Sequence, residues 1–139
     1  MLWDFVNLGD IKMTISEVSK KYELSSDTLR YYERIGLLPP VPRNQSGLRD
    51  YDTESCNWVE FIKCMRNARL PIEVLIKYVQ LFRQGDETIT ARKDILIEQR
   101  EILQNKIKDM QQTLERLDYK IKLYENEAIK ICEKKLIKN

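Results

Sequence analysis

The side chains that could act as nucleophiles here are three thiols, Cys56, Cys64 and Cys132. A thiolate attacks electrophiles, and neighbouring cations lower a thiol pKa. Cys64 has Lys63 and Arg66 close by in sequence, which favours that form. Cys56 is the rival, because it falls in the first turn of a predicted helix, whose dipole also lowers a thiol pKa. Cys132 stands apart from both and reads as incidental. The number is odd and no CxxC spacing occurs, which argues against a disulfide framework and for reduced thiols in a cytoplasmic protein.

The 139 residues include no histidine. That removes Ser-His and Cys-His catalysis, the imidazole general base and zinc hydrolase sites. A thiol enzyme working through Cys64 would lack both a base and an oxyanion site, so no enzyme is expected. The four glycines form neither a GxGxxG nor a P-loop. We expect no cofactor and no metal.

A second set of residues suits anions. Arg30, Tyr31 and Arg34 fall at three- and four-residue spacings, hence on one helix face. Two arginines and a tyrosine there suit phosphates and base edges, although the same pattern also fits an ordinary solvated face. Arg43 and Arg49 flank the turn-rich stretch Asn44-Gln45-Ser46-Gly47. The net charge is only +2, but from Lys12 to Arg49 seven basic residues face four acidic ones. From Gly85 onward twelve basic residues face eleven acidic ones, so the excess lies towards the N-terminus.

Patterned elements must hold these groups. Residues 1–12 read as an extension, a tag or an over-called start, with Met13 an alternative start; carrying Asp4 and Asp10, they do not suit a secretory signal. Thr14-Ile15-Ser16-Glu17 has the form of a capping box, opening a helix to about Tyr22. After a turn, Ser25 caps a second helix to about Ile35, and Gly36 ends it in the left-handed conformation. Leu29, Tyr32 and Ile35 are expected to face inward. Prolines at 39, 40 and 42 forbid helix, so Val41–Arg43 and Leu48–Tyr51 read as two short strands of a hairpin beside the helix pair, a wing. Thr53 or Ser55 opens a third helix to about Ala68, with Trp58, Phe61, Ile62 and Met65 as its stripe. Pro71 begins a fourth, with Ile72, Leu75, Ile76, Val79 and Phe82 as core, and Gly85 ends it. Thr88 is the expected cap of the next helix.

From about Thr88 to Asn126 there is no Gly or Pro. Leu103, Ile107, Met110, Leu114, Leu117, Ile121 and Tyr124 recur in steps of four and three, a heptad seam. A helix of about 39 residues spans roughly 58 Å at 1.5 Å per residue. That is too long to bury its seam on a small head, so a second copy is the simplest partner. The expected organisation is an extension (1–12), a head with linker helices (13–84), a dimerisation helix (88–126) and a short tail (127–139). No apolar run is long enough to cross a bilayer, and no membrane partner is expected.

Ile15-Ser16-Glu17-Val18, the run from Thr28 through Arg30-Tyr31-Tyr32-Glu33-Arg34 to Leu38, and Pro42-Arg43 with Gly47-Leu48-Arg49-Asp50-Tyr51 together resemble the MerR family of bacterial transcriptional regulators. The resemblance covers about residues 13–126, and Leu48 departs from it where the family usually has Tyr. It implies a mainly α fold: a winged helix-turn-helix head with a small β-hairpin wing, then a long C-terminal coiled-coil helix. It implies a homodimer through an antiparallel coiled coil, acting with RNA polymerase on double-stranded promoter DNA. The activated dimer would bend and untwist an over-long promoter spacer. Carried over, Arg30 reads bases or adjacent phosphates, Tyr31 contacts a phosphate, Arg43 and Arg49 are wing contacts, and Ser26 and Thr28 bind phosphate at the helix N-terminus.

Residues 88–100 contain no cysteine, and only thirteen residues follow Asn126, too few for a ligand pocket. The stretches Ile62–Ala68 and Leu70–Val79 look like the family's short subgroup that senses aldehydes and other electrophiles, which makes Cys64 the sensor thiol. Two alternatives stay open: a coiled-coil protein-interaction module without a DNA target, and a family regulator answering another signal.

Overall fold

The computed structural model describes residues 11–126 and 129–137. Most of the predicted N-terminal extension therefore lies outside the described residues. The helices are α1 (Ile15–Tyr22), α2 (Ser26–Arg34), α3 (Thr53–Asn67), α4 (Ile72–Gln84), α5 (Ile89–Glu125) and α6 (Ile129–Ile137), with a 3₁₀ turn at Asp86–Thr88. Among the described residues, β pairing is limited to two isolated antiparallel bridges, Met13 with Tyr51 and Arg43 with Arg49. The fold is mainly α, as expected.

The starts of the helices follow from side-chain chemistry. Thr14 accepts the Glu17 N–H at 3.2 Å, and the Glu17 carboxylate accepts the Thr14 N–H at 3.1 Å, which closes the capping box. Ser25 accepts the Thr28 N–H at 3.0 Å. The cap of α3 is Asp52, not Thr53 or Ser55: its carboxylate accepts the Ser55 N–H at 2.8 Å. A charged acceptor there also meets the positive end of the helix dipole. Gly36 ends α2 at φ +82, while the Leu37 and Leu38 N–H groups return to the Tyr32 carbonyl. Glu23 and Arg69 take the same left-handed region without being glycine.

Val18, Leu29, Leu37, Ile62, Leu75 and Tyr51 are fully enclosed and form the centre of the core. The buried face of α3 is Cys56, Val59 and Ile62. Trp58, Phe61 and Met65, expected in that stripe, pack at its edge instead. The reason is that α1 packs on one side of α3, whereas Trp58 and Phe61 meet Tyr78 and Phe82 of α4. Phe61 stacks on Tyr78 with 5.5 Å between centroids, and Trp58 meets Phe82 edge-on at 4.9 Å.

Thr88 does not cap through its hydroxyl. That hydroxyl lies 2.6 Å from the Leu81 carbonyl and 2.8 Å from the Gly85 carbonyl, and it accepts from Arg92 Nε at 3.0 Å. The Arg92 guanidinium also sits over the Phe82 ring. These bonds tie the end of α4 to the start of α5.

The chain divides into two compact units, one ending at Ile97 and one beginning at Glu98. Along α5 in the second unit, Ile107, Met110, Leu114, Leu117, Ile121 and Tyr124 are all exposed, by 49% or more. Residues predicted as a tail include the nine-residue helix α6. Its stretch lacks Gly and Pro, and the Tyr124 hydroxyl reaches Glu133 at 3.4 Å.

Candidate nucleic-acid interface

The cap at Ser25 and the glycine at position 36 fix α2 as a short helix whose apolar residue Leu29 is buried, leaving Arg30, Tyr31 and Arg34 exposed. Arg30 Nη1 pairs with the Asp27 carboxylate at 3.0 Å. Asp27 is almost wholly in water, so this pair is weak and easily exchanged for another anion. The Arg34 guanidinium lies 5.3 Å from the centre of the Tyr31 ring, and the Tyr31 and Tyr32 rings are 6.4 Å apart. Ser26 occupies the first position of the helix, and the Thr28 hydroxyl bonds to the Ser25 hydroxyl at 2.7 Å. Cations, hydroxyls and a helix N-terminus thus share one small element.

The hairpin is present but shorter than expected. Asn44 N–H donates to the Leu48 carbonyl at 2.8 Å, and Asp50 N–H to the Pro42 carbonyl at 2.8 Å. The Asn44 side chain accepts from Ser46 and Leu48, and Gly47 supplies a positive φ. The predicted strands Val41–Arg43 and Leu48–Tyr51 reduce to the single pair Arg43–Arg49. Pro42 has no N–H to extend the ladder. Tyr51 spends its backbone groups on Met13, two bonds of 2.9 Å.

Glu33 is the residue sequence reasoning missed. Its carboxylate accepts the Val41 N–H at 2.5 Å, Arg49 Nε at 2.7 Å and Arg43 Nη2 at 3.4 Å. One acidic residue therefore joins α2 to both arginines of the hairpin. The available signal was an acid standing among arginines, just ahead of a basic turn. Behind this cluster Tyr51 is fully buried, and its hydroxyl has no hydrogen-bond partner. Burial pushes the Tyr51 pKa up, against the pull of Arg49.

The thiols differ sharply in environment. Cys56 is buried, with Sγ 3.8 Å from Met13 Sδ and 3.9 Å from the Tyr51 carbonyl. Burial pushes its thiol up, and the opposing pull of Lys21 is smaller. The expected lowering by the helix terminus does not prevail, because desolvation penalises the thiolate more. Cys64 is half-buried on α3, and Cys132 is exposed on α6. Lys63 reaches Glu23 at 3.9 Å, and Arg66 Nη1 donates to the Leu70 carbonyl at 2.7 Å. Both cations near Cys64 in sequence are therefore engaged elsewhere. Among the described residues no group of three or more His, Cys, Asp or Glu side chains could hold a metal ion. No described helix is long and apolar enough to cross a membrane.

Two short capped helices joined by a tight turn, with a basic hairpin bound to the second, define a winged helix-turn-helix protein. Residues 13–81 match the family model of the MerR HTH family of regulatory proteins. The chain belongs to the MerR family, a family of transcriptional regulators and not of enzymes. It is 58% identical over 91 residues to the HTH-type transcriptional regulator AdhR of Bacillus subtilis (strain 168), covering 66% of this chain and 65% of that protein. A MerR family crystal structure from Listeria monocytogenes superposes with a TM-score of 0.81 at 48% identity, covering 88% of this chain and 92% of that one. HiNmlR, a MerR family regulator lacking the sensor domain and crystallised with promoter DNA, superposes with a TM-score of 0.76 at 26% identity. That match covers 84% of this chain and 92% of the HiNmlR chain.

Proposed function

We propose that this regulator binds double-stranded promoter DNA as a homodimer and activates transcription in response to thiol-reactive electrophiles such as aldehydes. The observation that carries the DNA reading is the coupling of a basic α2 face to a basic hairpin through Glu33. Likeness to a regulator crystallised on promoter DNA supports it. In this reading Arg30 and Tyr31 enter the major groove with Arg34 beside them, Ser26 and Thr28 meet phosphate at the helix start, and Arg43 and Arg49 grip the flanking backbone. Leu103 and the exposed apolar residues of α5 form the seam with a second copy in an antiparallel coiled coil. The dimer distorts an over-long spacer so that RNA polymerase meets both promoter elements in register. The site of action is cytoplasmic.

The sensor is Cys64. Cys56 is buried with a raised pKa, whereas Cys64 is accessible in part and sits one helical turn from Phe61, which stacks on Tyr78 of α4. The Cys64 thiolate adds to an aldehyde carbonyl carbon. A C–S bond forms, the C=O π pair moves to oxygen, and a proton from water completes a hemithioacetal. The adduct then crowds the α3–α4 packing. A tenfold shift between two dimer states requires only about 1.4 kcal/mol of differential interaction, which local overpacking supplies. A reporter assay with methylglyoxal on Cys64→Ser, Cys56→Ser and Cys132→Ser tests this. Cys64→Ser is expected to bind DNA but lose induction, and full induction in that variant would sink the sensor assignment. Steep loss of affinity for random duplex DNA with rising salt tests the DNA reading, because phosphate contacts release counterions.

A further inference from the structure

We propose that Glu33 is a specificity-determining positioning residue: it sets the geometry and charge with which the two wing arginines meet DNA, and thereby governs discrimination between sequences more than affinity. The other ties of the wing are local to its turn or at its base, where Tyr51 pairs with Met13, and none of them reaches α2. A single backbone bridge pairs Arg43 with Arg49, and an isolated two-stranded ribbon is marginal in water. Glu33 ties the hairpin to α2 across sequence separations of 8, 10 and 16 residues. Its side chain is only 12% exposed, against 96% for Asp27 in the Arg30 pair on the same helix. Water therefore screens the Glu33 contacts far less.

The bonding pattern leaves the arginines able to do two things at once. A guanidinium carries five N–H donors in a rigid fork. Arg49 gives Nε to Glu33 and Arg43 gives Nη2, so each keeps other donors for a phosphate. Anchoring one edge of a planar fork orients the other edge. The carboxylate also places one negative charge between two positive ones. Without it the wing would bind any phosphate backbone more strongly and in more orientations, which lowers discrimination.

The inference rests on reading Arg43 and Arg49 as DNA contacts, and the experiment separates the two. Fluorescence anisotropy is measured over a salt series on two labelled duplexes, one of random sequence and one selected from a randomised pool by the wild-type protein. Arg49→Ala and Arg43→Ala are expected to weaken both duplexes and to lower the salt slope by about 1. Unchanged affinity in both variants would remove the wing contacts themselves, and Glu33 would then be a structural residue only. Given those losses, Glu33→Gln is expected to bind random DNA severalfold more tightly, with a slope steeper by about 1. Its selected-to-random affinity ratio is expected to fall about tenfold. Glu33→Asp keeps the charge but shortens the reach, so its ratio is expected to fall without a gain on random DNA. An unchanged ratio in Glu33→Gln overturns the proposal. So does equal weakening on both duplexes, or failure of both Glu33 variants to fold by circular dichroism, since each outcome describes a residue needed for structure alone.

Discussion

The two units of this chain solve the burial problem differently. Among the described residues up to Ile97, a core of large apolar side chains turns inward: Leu29, Leu37, Ile62 and Leu75 are exposed by 1% or less, although Leu48 and Ile89 stay in water. From Glu98 onward most apolar residues of α5 stay in water, Met110 by 72% and Leu117 by 56%, while Leu103 and Leu123 are half-buried. Buried apolar surface contributes roughly 25 cal/mol per Å², so the first unit draws its stability from its own chain. The second unit has a regular stripe that, among the described residues, stays largely exposed. A single chain can therefore bury the core of its head, whereas in the proposed reading the α5 stripe is covered by a second copy.

That contrast can be broken most directly in the core of the first unit. Ile62→Ala leaves a cavity between α3 and its neighbours and is expected to cost about 2–5 kcal/mol in urea denaturation. The loss is expected to be independent of protein concentration. A cost below about 1 kcal/mol would mean that the head is held together by something other than its own core.

The seam is probed by Leu117→Glu, which sets a carboxylate at the centre of the apolar stripe of α5. The expected result in sedimentation is at least tenfold weaker self-association, equivalent to about 1.4 kcal/mol. Near-ultraviolet circular dichroism of the head, dominated by Trp58 and its aromatic neighbours, is expected to stay unchanged. An unaltered dimer would move the interface off this stripe.

What the sequence disclosed follows the same division. Local chemistry was legible: the Thr14–Glu17 box, the Ser25 cap, the left-handed Gly36 and the heptad steps along α5 all depend on residues a few positions apart. Contacts between elements were not. Glu33 counts as one negative charge until α2 is laid against the hairpin, and only then does it find Val41, Arg43 and Arg49. The inward face of α3 depends on which side α1 approaches, so Cys56 looked like a helix-terminal thiol and proved to be a buried one. Asp52 was overlooked as a cap because two hydroxyl residues follow it closely. The predicted wing strands met two competing demands, the missing donor of Pro42 and the pairing of Tyr51 with Met13.

The smallest expected effect sharpens the comparison from inside the head, where burial is not uniformly favourable. Tyr51 places a hydroxyl in the core without a partner. Such a group incurs the desolvation cost of a polar atom and recovers none of it, while its ring packs as well as any phenyl. Tyr51→Phe removes the hydroxyl and keeps the shape, so it is expected to stabilise the protein by about 1 kcal/mol in urea. The pH dependence provides an internal check. Burial raises the Tyr51 pKa above 10.0 in the folded state, and that of Tyr22 from 10.0 to about 12. The folded chain then holds protons that the unfolded chain releases, and the buried Cys56 thiol, raised from 9.0, acts in the same sense, so the contribution of these groups to stability falls as pH rises from about 9 towards 12. Tyr51→Phe removes one of these groups and is expected to make the decline above pH 10 shallower, with Tyr22 and Cys56 still contributing. A variant that is less stable at pH 7 and loses stability as steeply above pH 10 would show that the hydroxyl has a partner in solution.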